Sequence, residues 1–325
     1  MKNKQLWMGI GAASGMLILI LDGRTAVEGA RQGIELCLKT VIPSLFPFFL
    51  LSILLTSSFM GRNLSFLRPI GRLFRIPTGA ESILISAFLG GYPVGAQSIA
   101  EAYKQKQLDR QDAQRMLAFC NNAGPAFLFG MVASMFPDKS AAWILWGIHI
   151  LSALLVSFFF PSSSETVRLH REQEISATSA MVSAIKVMAS VCGWVVLFRV
   201  IIAFLSRWIL WLFPTTAQIM LTGLLELSNG CCELSAIESL KQRFVVCSTI
   251  LALGGLCVTM QTLTVAKGLS MKYYFLGKLL QTGFSLLLSA SIAYSLWLLI
   301  PFGVFFLIFP VRILKSSRNP GMLGV

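Results

Sequence analysis

Charge is scarce in this chain of 325 residues: Asp, Glu, Lys and Arg together make up 13% of it, against roughly 25% in an ordinary soluble domain. Acid is scarcer still, with 14 Asp and Glu facing 27 Lys and Arg. So few charges cannot cover a surface that meets water on every side, which excludes a soluble globular protein. There are two histidines and seven cysteines. They form no Cys-x-x-Cys pair and no Cys–His set at ligand spacing, so no metal centre is expected. The cysteines, at 37, 120, 192, 231, 232, 247 and 257, lie in or beside apolar stretches, as small packing residues do. No phosphate-binding loop, nucleophile triad or zinc motif occurs. That argues against an ATP-driven pump or a membrane hydrolase, and no enzyme activity is expected.

What the chain has in abundance is apolar length. Hydrophobic residues make up 55% of it and its mean hydropathy is +0.74. About 20 apolar residues cross a bilayer as a helix. Candidate segments fall near 6 to 22, 34 to 60, 81 to 101, 116 to 136, 141 to 160, 183 to 206, 216 to 237, 244 to 266 and 275 to 299, with a shorter one at 302 to 313. The fold class is therefore an all-α polytopic membrane protein. The first segment follows Met-Lys-Asn-Lys and ends in no clear small-x-small cleavage site, so 1–28 is expected to be an uncleaved signal anchor. The net charge of +13 sits mostly in short loops beside these segments, where lipid headgroups and topology account for it. The bilayer, not nucleic acid, is the expected partner, and oligomeric state is left open.

Loop charges set the topology. Residues 61 to 79 carry Arg62, Arg68, Arg72 and Arg75, and residues 102 to 115 carry Lys104, Lys106, Arg110 and Arg115. Both loops have the signature of the cytoplasmic side. A segment 81 to 101 between them must either reverse within the membrane, with Gly90-Gly91-Tyr92-Pro93 to Gly95 as its turn, or cross with one basic loop outside. Carried forward, the polar linker 161–180, with Arg168 and Arg171, is cytoplasmic, and a second interrupted segment, 216 to 237, has its ends outside. Segment 244 to 266 then returns to a basic loop holding Lys267, Lys272 and Lys278. The chain divides into 29–160 and 181–300, each with a hairpin and an interrupted helix, followed by 301–325. Inverted repeats with broken helices are a pattern of alternating-access transporters.

Helix breaks are where binding chemistry belongs, because lipid cannot hydrogen-bond a bared backbone. In the first hairpin Gly90, Gly91 and Gly95 permit close approach while Pro93 ends a helical run. A half-helix starting there would turn free N–H groups toward an anion; Gly91 and Gly95 equally form a Gly-x-x-x-Gly packing pair. Asn121, Asn122, Gly124 and Pro125 interrupt the next segment, the amides serving either substrate or the backbone freed by Pro125. In the second half the candidates are Glu226, Ser228, Asn229 and Gly230, with Thr259 and Gln261 after Gly254-Gly255. Glu226 either carries a coupling proton or cation, or anchors the hairpin by accepting backbone N–H groups. Lys39, Lys186 and Arg199 either snorkel to the interface or turn inward, and Lys39 and Arg199 are the candidate charge partners of an anion. His149 fits a packed or interfacial position and His170 a solvated linker.

Leu-Gly-Gly-Tyr-Pro-Val-Gly-Ala, the connector Asp109 to Arg115, Phe-Cys-Asn-Asn-Ala-Gly-Pro and Glu226-Leu-Ser-Asn-Gly together resemble the sporulation integral membrane protein YlbJ (SpoVV) family, over roughly Gly29 to Tyr294. That family is similar to nucleoside-transporter gate-domain proteins. The resemblance implies non-ATP passage of a small organic anion, dipicolinate, across the outer forespore membrane during sporulation. Tyr92 with Phe119 or Phe127 would flank its ring. No cofactor is implied beyond a coupling H+ or Na+. A nucleoside-type permease and a non-transporting sporulation scaffold stand as alternatives.

Overall fold

The computed structural model describes residues 2–59, 62, 64–162, 167 and 176–295. The expected segment 302 to 313, the basic tail, and Arg168, His170 and Arg171 of the linker lie outside them. Every regular element among the described residues is helical, as an apolar chain requires when its backbone must be satisfied internally. Five helical stretches are long and apolar enough to cross a membrane: Gly23–Phe59, Ser140–Phe159, Ala177–Trp208, Leu240–Val265 and Lys272–Tyr294.

Helix α1 (Lys2–Leu21) carries exposed Trp7, Ile20 and Leu21. Asp22 starts α2 (Gly23–Phe59) by accepting a hydrogen bond from the Thr25 N–H at 3.3 Å. The expected segment at 34 thus begins about three turns earlier, because a capped polar stretch continues the same helix. A wide π turn, Cys37–Val41, sits just before Pro43, a residue with no N–H to add to the ladder. Short α3 (Arg68–Leu73) follows.

The segment 81 to 101 is two helices, α4 (Glu81–Gly90) and α5 (Val94–Lys104), folded against each other. Gly95 lies on Ala87, where a Cβ would approach the Ala87 Cα at 3.0 Å. The next interrupted segment is α6 (Arg110–Phe119) and α7 (Pro125–Gly130), with Asp109 capping α6 through the Asp112 N–H at 2.6 Å. Helix α8 (Ser140–Val156) completes the first half.

Ser176 caps α9 (Ala177–Trp208), whose 32 residues span about 48 Å at roughly 1.5 Å per residue. Gly29 and Gly33 of α2 let α9 approach closely, with Ala203 Cβ and Val196 Cα each 2.9 Å from where a Cβ would stand. The second hairpin is α10 (Thr215–Leu225) and α11 (Leu227–Cys232). Its arms meet through bare backbone, for a Cβ on Gly230 would fall 2.3 Å from the Gly223 Cα. Helices α12 (Leu240–Leu253) and α13 (Gly255–Val265) break at Gly254, in the left-handed conformation. Helix α14 (Lys272–Tyr294) packs on α12 through a 2.7 Å Ser248–Ser285 hydroxyl pair.

Two placements differ from expectation. Arg115 is not a solvated loop charge: it is fully buried and donates to the carbonyls of Phe74, Arg75, Ser157 and Phe160 at 2.8 to 3.2 Å. Lys278 is not in a basic loop either. It lies in the second turn of α14, 5% exposed, because α14 begins at Lys272 and carries the amine inward.

Candidate functional site

The four helix breaks converge. The first hairpin turns at Gly91, whose φ of +71° is open to glycine and strained for other residues. There is also no room for a side chain: a Cβ on Gly91 would stand 2.7 Å from the Gly124 nitrogen, so the hairpin tip touches the α6–α7 break backbone to backbone. In the second half Gly255, at the α12–α13 break, abuts the last turn of α10, where a Cβ would come within 2.9 Å of the Gly223 carbonyl oxygen. Tyr92 joins the halves, its hydroxyl donating to the Leu251 carbonyl at 3.1 Å.

Between them lies a narrow cleft of about 40 Å3. Its polar wall is Gly90, Gly91, Tyr92, Gly124, Glu226, Ser228 and Gln261, and its apolar wall includes Leu45, Phe49 and Phe127. A wider cleft of about 310 Å3 is lined by the same three elements. On α2 Ile53 and Thr56 follow Phe49, on α9 Val187, Lys186 and Ser183 precede Val191, and on α5 Val94, Gln97, Ser98 and Glu101 follow the hairpin tip.

The other candidates stand behind the cleft wall. Pro93 leads into α5, Pro125 is the first residue of α7, and Gly95 lies against the Cys120 carbonyl. Asn121 donates to the Thr262 hydroxyl at 2.7 Å and Asn122 to the Phe119 carbonyl at 2.6 Å. Both amides are fully buried. Glu226 caps α11: its Oε2 accepts from the backbone N–H and the side-chain amide of Asn229, both at 2.7 Å. Gly230 packs on Gly223, and Thr259 donates to the Gly255 carbonyl at 3.0 Å. Phe119 lies away from the cleft, under the Arg115 guanidinium at 5.4 Å.

Neither proposed charge partner lines the cleft. Lys39 pairs with Glu35 at 2.5 Å with a side chain 74% exposed. Arg199 donates to Gln32 at 2.8 and 3.1 Å and to Glu233 at 3.2 Å. The cation nearest the breaks is instead Lys278. Its Nζ donates to the Asn121 carbonyl at 2.7 Å and to Gln281 Oε1 at 3.0 Å, and lies 5.3 Å from the centre of the Tyr92 ring. Gln281 donates to Asn122 Oδ1 at 2.9 Å, and the Ala123 N–H to His149 Nε2 at 3.0 Å. Sequence reasoning passed over Lys278 and Gln281, although an amine and an amide at i and i+3 inside the apolar segment 275 to 299 were a visible signal.

The Glu226 cap makes a direct prediction. Glu226→Ala removes both acceptor contacts and is expected to cost about 1–2 kcal/mol, read as a lower unfolding temperature of the purified protein. Glu226→Gln retains an acceptor and is expected to unfold near wild type. Equal loss in both variants would show that the charge, not the cap, matters there.

An all-α bundle with five helical stretches long and apolar enough to cross a bilayer defines a polytopic integral membrane protein. The chain is similar to the sporulation integral membrane protein YlbJ of Bacillus subtilis (strain 168), with 27% identity over 314 residues covering 81% of this chain and 76% of that protein. This supports the family resemblance carried by the hairpin and amide motifs. No family model matches the chain, and no solved structure matches it.

Proposed function

We propose that the protein is a secondary, non-ATP transporter or facilitator of a small organic anion, with dipicolinate as the substrate and the outer forespore membrane of a sporulating cell as its place. The observation that carries this reading is the meeting of broken helices from both halves at one narrow cleft. Bared backbone within a membrane bundle is tolerated where it is buried in protein or lines a cavity, and paired broken helices at a midplane site are the device by which many transporters hold substrate. The name of the Bacillus relative supports the sporulation context.

The chemistry fits a flat aromatic dicarboxylate. Gly90 and Gly91 form the turn that leads, through Tyr92 and Pro93, into the 11-residue half-helix α5, whose N-terminal dipole favours carboxylate. Tyr92 and Phe127, both on the cleft wall, offer ring faces for the aromatic plane. The wider cleft, with Lys186, Gln97 and Ser98, provides a polar route toward the loops assigned to the cytoplasm. Closure of the two hairpins as re-entrant gates would alternate access.

Uptake of radiolabelled dipicolinate by vesicles containing the purified protein tests this. Accumulation above protein-free vesicles, displaced by other aromatic dicarboxylates, is the expected result. Displacement by nucleosides instead would establish the permease alternative. No uptake under proton or sodium gradients would overturn transport and favour the scaffold, whose function should then follow exchange of loops 61 to 79 and 102 to 115.

A further inference from the structure

Lys278 is a buried amine in an unusual setting. It is 5% exposed and makes no ion pair with a carboxylate among the described residues. Its partners are instead what a metal cation would take: the main-chain carbonyl of Asn121, just past the C-terminal end of α6, the Gln281 amide oxygen and the Tyr92 ring face. The C-terminal end of a ten-residue helix carries partial negative charge, and unwound carbonyls at such ends coordinate sodium ions or protons in transporters. The backbone beneath is built for the amine to enter. Gly277 sits against Ala118, where a Cβ would come 2.4 Å from its carbonyl oxygen. Asn121 Oδ1, also buried, has no hydrogen-bond partner, leaving a further oxygen on the residue that holds the ammonium.

We infer that Lys278 is a tethered coupling cation, its ammonium filling the carbonyl-lined site behind the helix breaks, so that the protein binds no sodium ion there and couples to the proton Lys278 carries. This rests on the transport reading only for its coupling half; occupancy of the cation site stands apart from it. In the coupling step the ammonium releases one proton to water on one side of the membrane and the free amine takes one from water on the other, so the site alternates between charged and neutral and one proton crosses per cycle. The titratable groups around it are Tyr92 of the first hairpin, His149 of α8, and Tyr274 of its own helix beside Asn121. Because Lys278 holds the Asn121 carbonyl and faces the ring of Tyr92 on the cleft wall, its charge state acts directly on the two segments that meet at Gly91 and Gly124.

Two measurements on the full-length purified protein test this. In thermal unfolding, wild type is expected to have the same midpoint in sodium and choline chloride, whereas Lys278→Ala, with its site vacated, is expected to be stabilised selectively by sodium or ethylammonium. Sodium-specific stabilisation of wild type would overturn the inference, as would a folded Lys278→Ala that responds to neither cation. In vesicles, a pH gradient and not a sodium gradient is expected to drive dipicolinate uptake. Lys278→Gln should lose about tenfold of that drive, the size of an ordinary coupling between sites, while still exchanging labelled for unlabelled substrate. Sodium-driven uptake by wild type would sink the inference and leave transport standing. Absence of all uptake would sink the transport reading and proton coupling with it, and the unfolding midpoints would then decide occupancy of the cation site.

Discussion

Gly91→Val is expected to leave the protein unable to close its first hairpin on the α6–α7 break, with uptake lost and the unfolding temperature clearly lowered. Two independent costs combine. At φ +71° and ψ −167° the backbone lies in a region open essentially to glycine, and any other residue there pays about 1–3 kcal/mol. The added carbon must also displace the Gly124 nitrogen and Cα, 2.7 and 2.9 Å away, and overpacking of this kind costs about 1–3 kcal/mol. Main chain cannot rotate out of the way as a side chain can, so the relief available is separation of the hairpin from the break. Gly193→Ala is the control. Nothing lies within 4 Å of a Cβ there, and in the middle of α9 alanine favours the helix by about 1 kcal/mol. A Gly91→Val protein that unfolds and transports like the control would remove the close-contact account of the cleft.

Arg115→Ala is expected to be at least as damaging to stability, by about 3 kcal/mol or more. The guanidinium holds together the loop before α4, through Phe74 and Arg75, and the end of α8, through Ser157 and Phe160. Removing it leaves several buried carbonyls short of a donor, at about 1–3 kcal/mol for each that stays unsatisfied, and a void where a large side chain was fully buried. Arg115→Lys should recover part of this loss, since a single ammonium cannot reproduce the planar fork that reaches two segments at once. Unfolding of the purified variants measures the cost, and faster tryptic cleavage after Arg72 and Arg75 would report release of the loop. An alanine variant as stable as wild type would mean that these carbonyls find other donors.

Where the chain breaks its helices was legible without coordinates. Gly90-Gly91-Tyr92-Pro93, Asn121 to Pro125, Glu226 and Gly254-Gly255 each interrupt an apolar segment, and each interrupts a helix in the structure. These are local events, set by residues that lack a Cβ, lack an N–H or cap a helix, and such properties travel with the residue type. Glu226 illustrates the limit. Its anchoring alternative is visible in the contacts with Asn229, three residues along, while no local contact bears on whether it also exchanges a proton.

The polar side chains were harder to place. Lys39 and Arg199 attract attention as charges in apolar segments, yet one finds a carboxylate a helical turn away and the other finds Gln32 and Glu233 on neighbouring elements. Lys278, next to Lys267 and Lys272 in the chain, looks like part of a basic loop. Its burial depends on how far α14 extends toward the first half and on Ala118 meeting a glycine at 277.

By itself, the sequence determined the solvent, the helical class and the positions at which backbone is bared, because hydropathy and helix breaking are properties of short stretches. Tertiary structure alone decided that these breaks meet, that Gly91 faces Gly124, and that the cation nearest them is Lys278, which lies 157 residues from the Asn121 carbonyl it contacts. Within lipid a buried polar group must find its partner inside the protein. Which partner it finds is settled by which helices pack together, and that is a property of the whole chain.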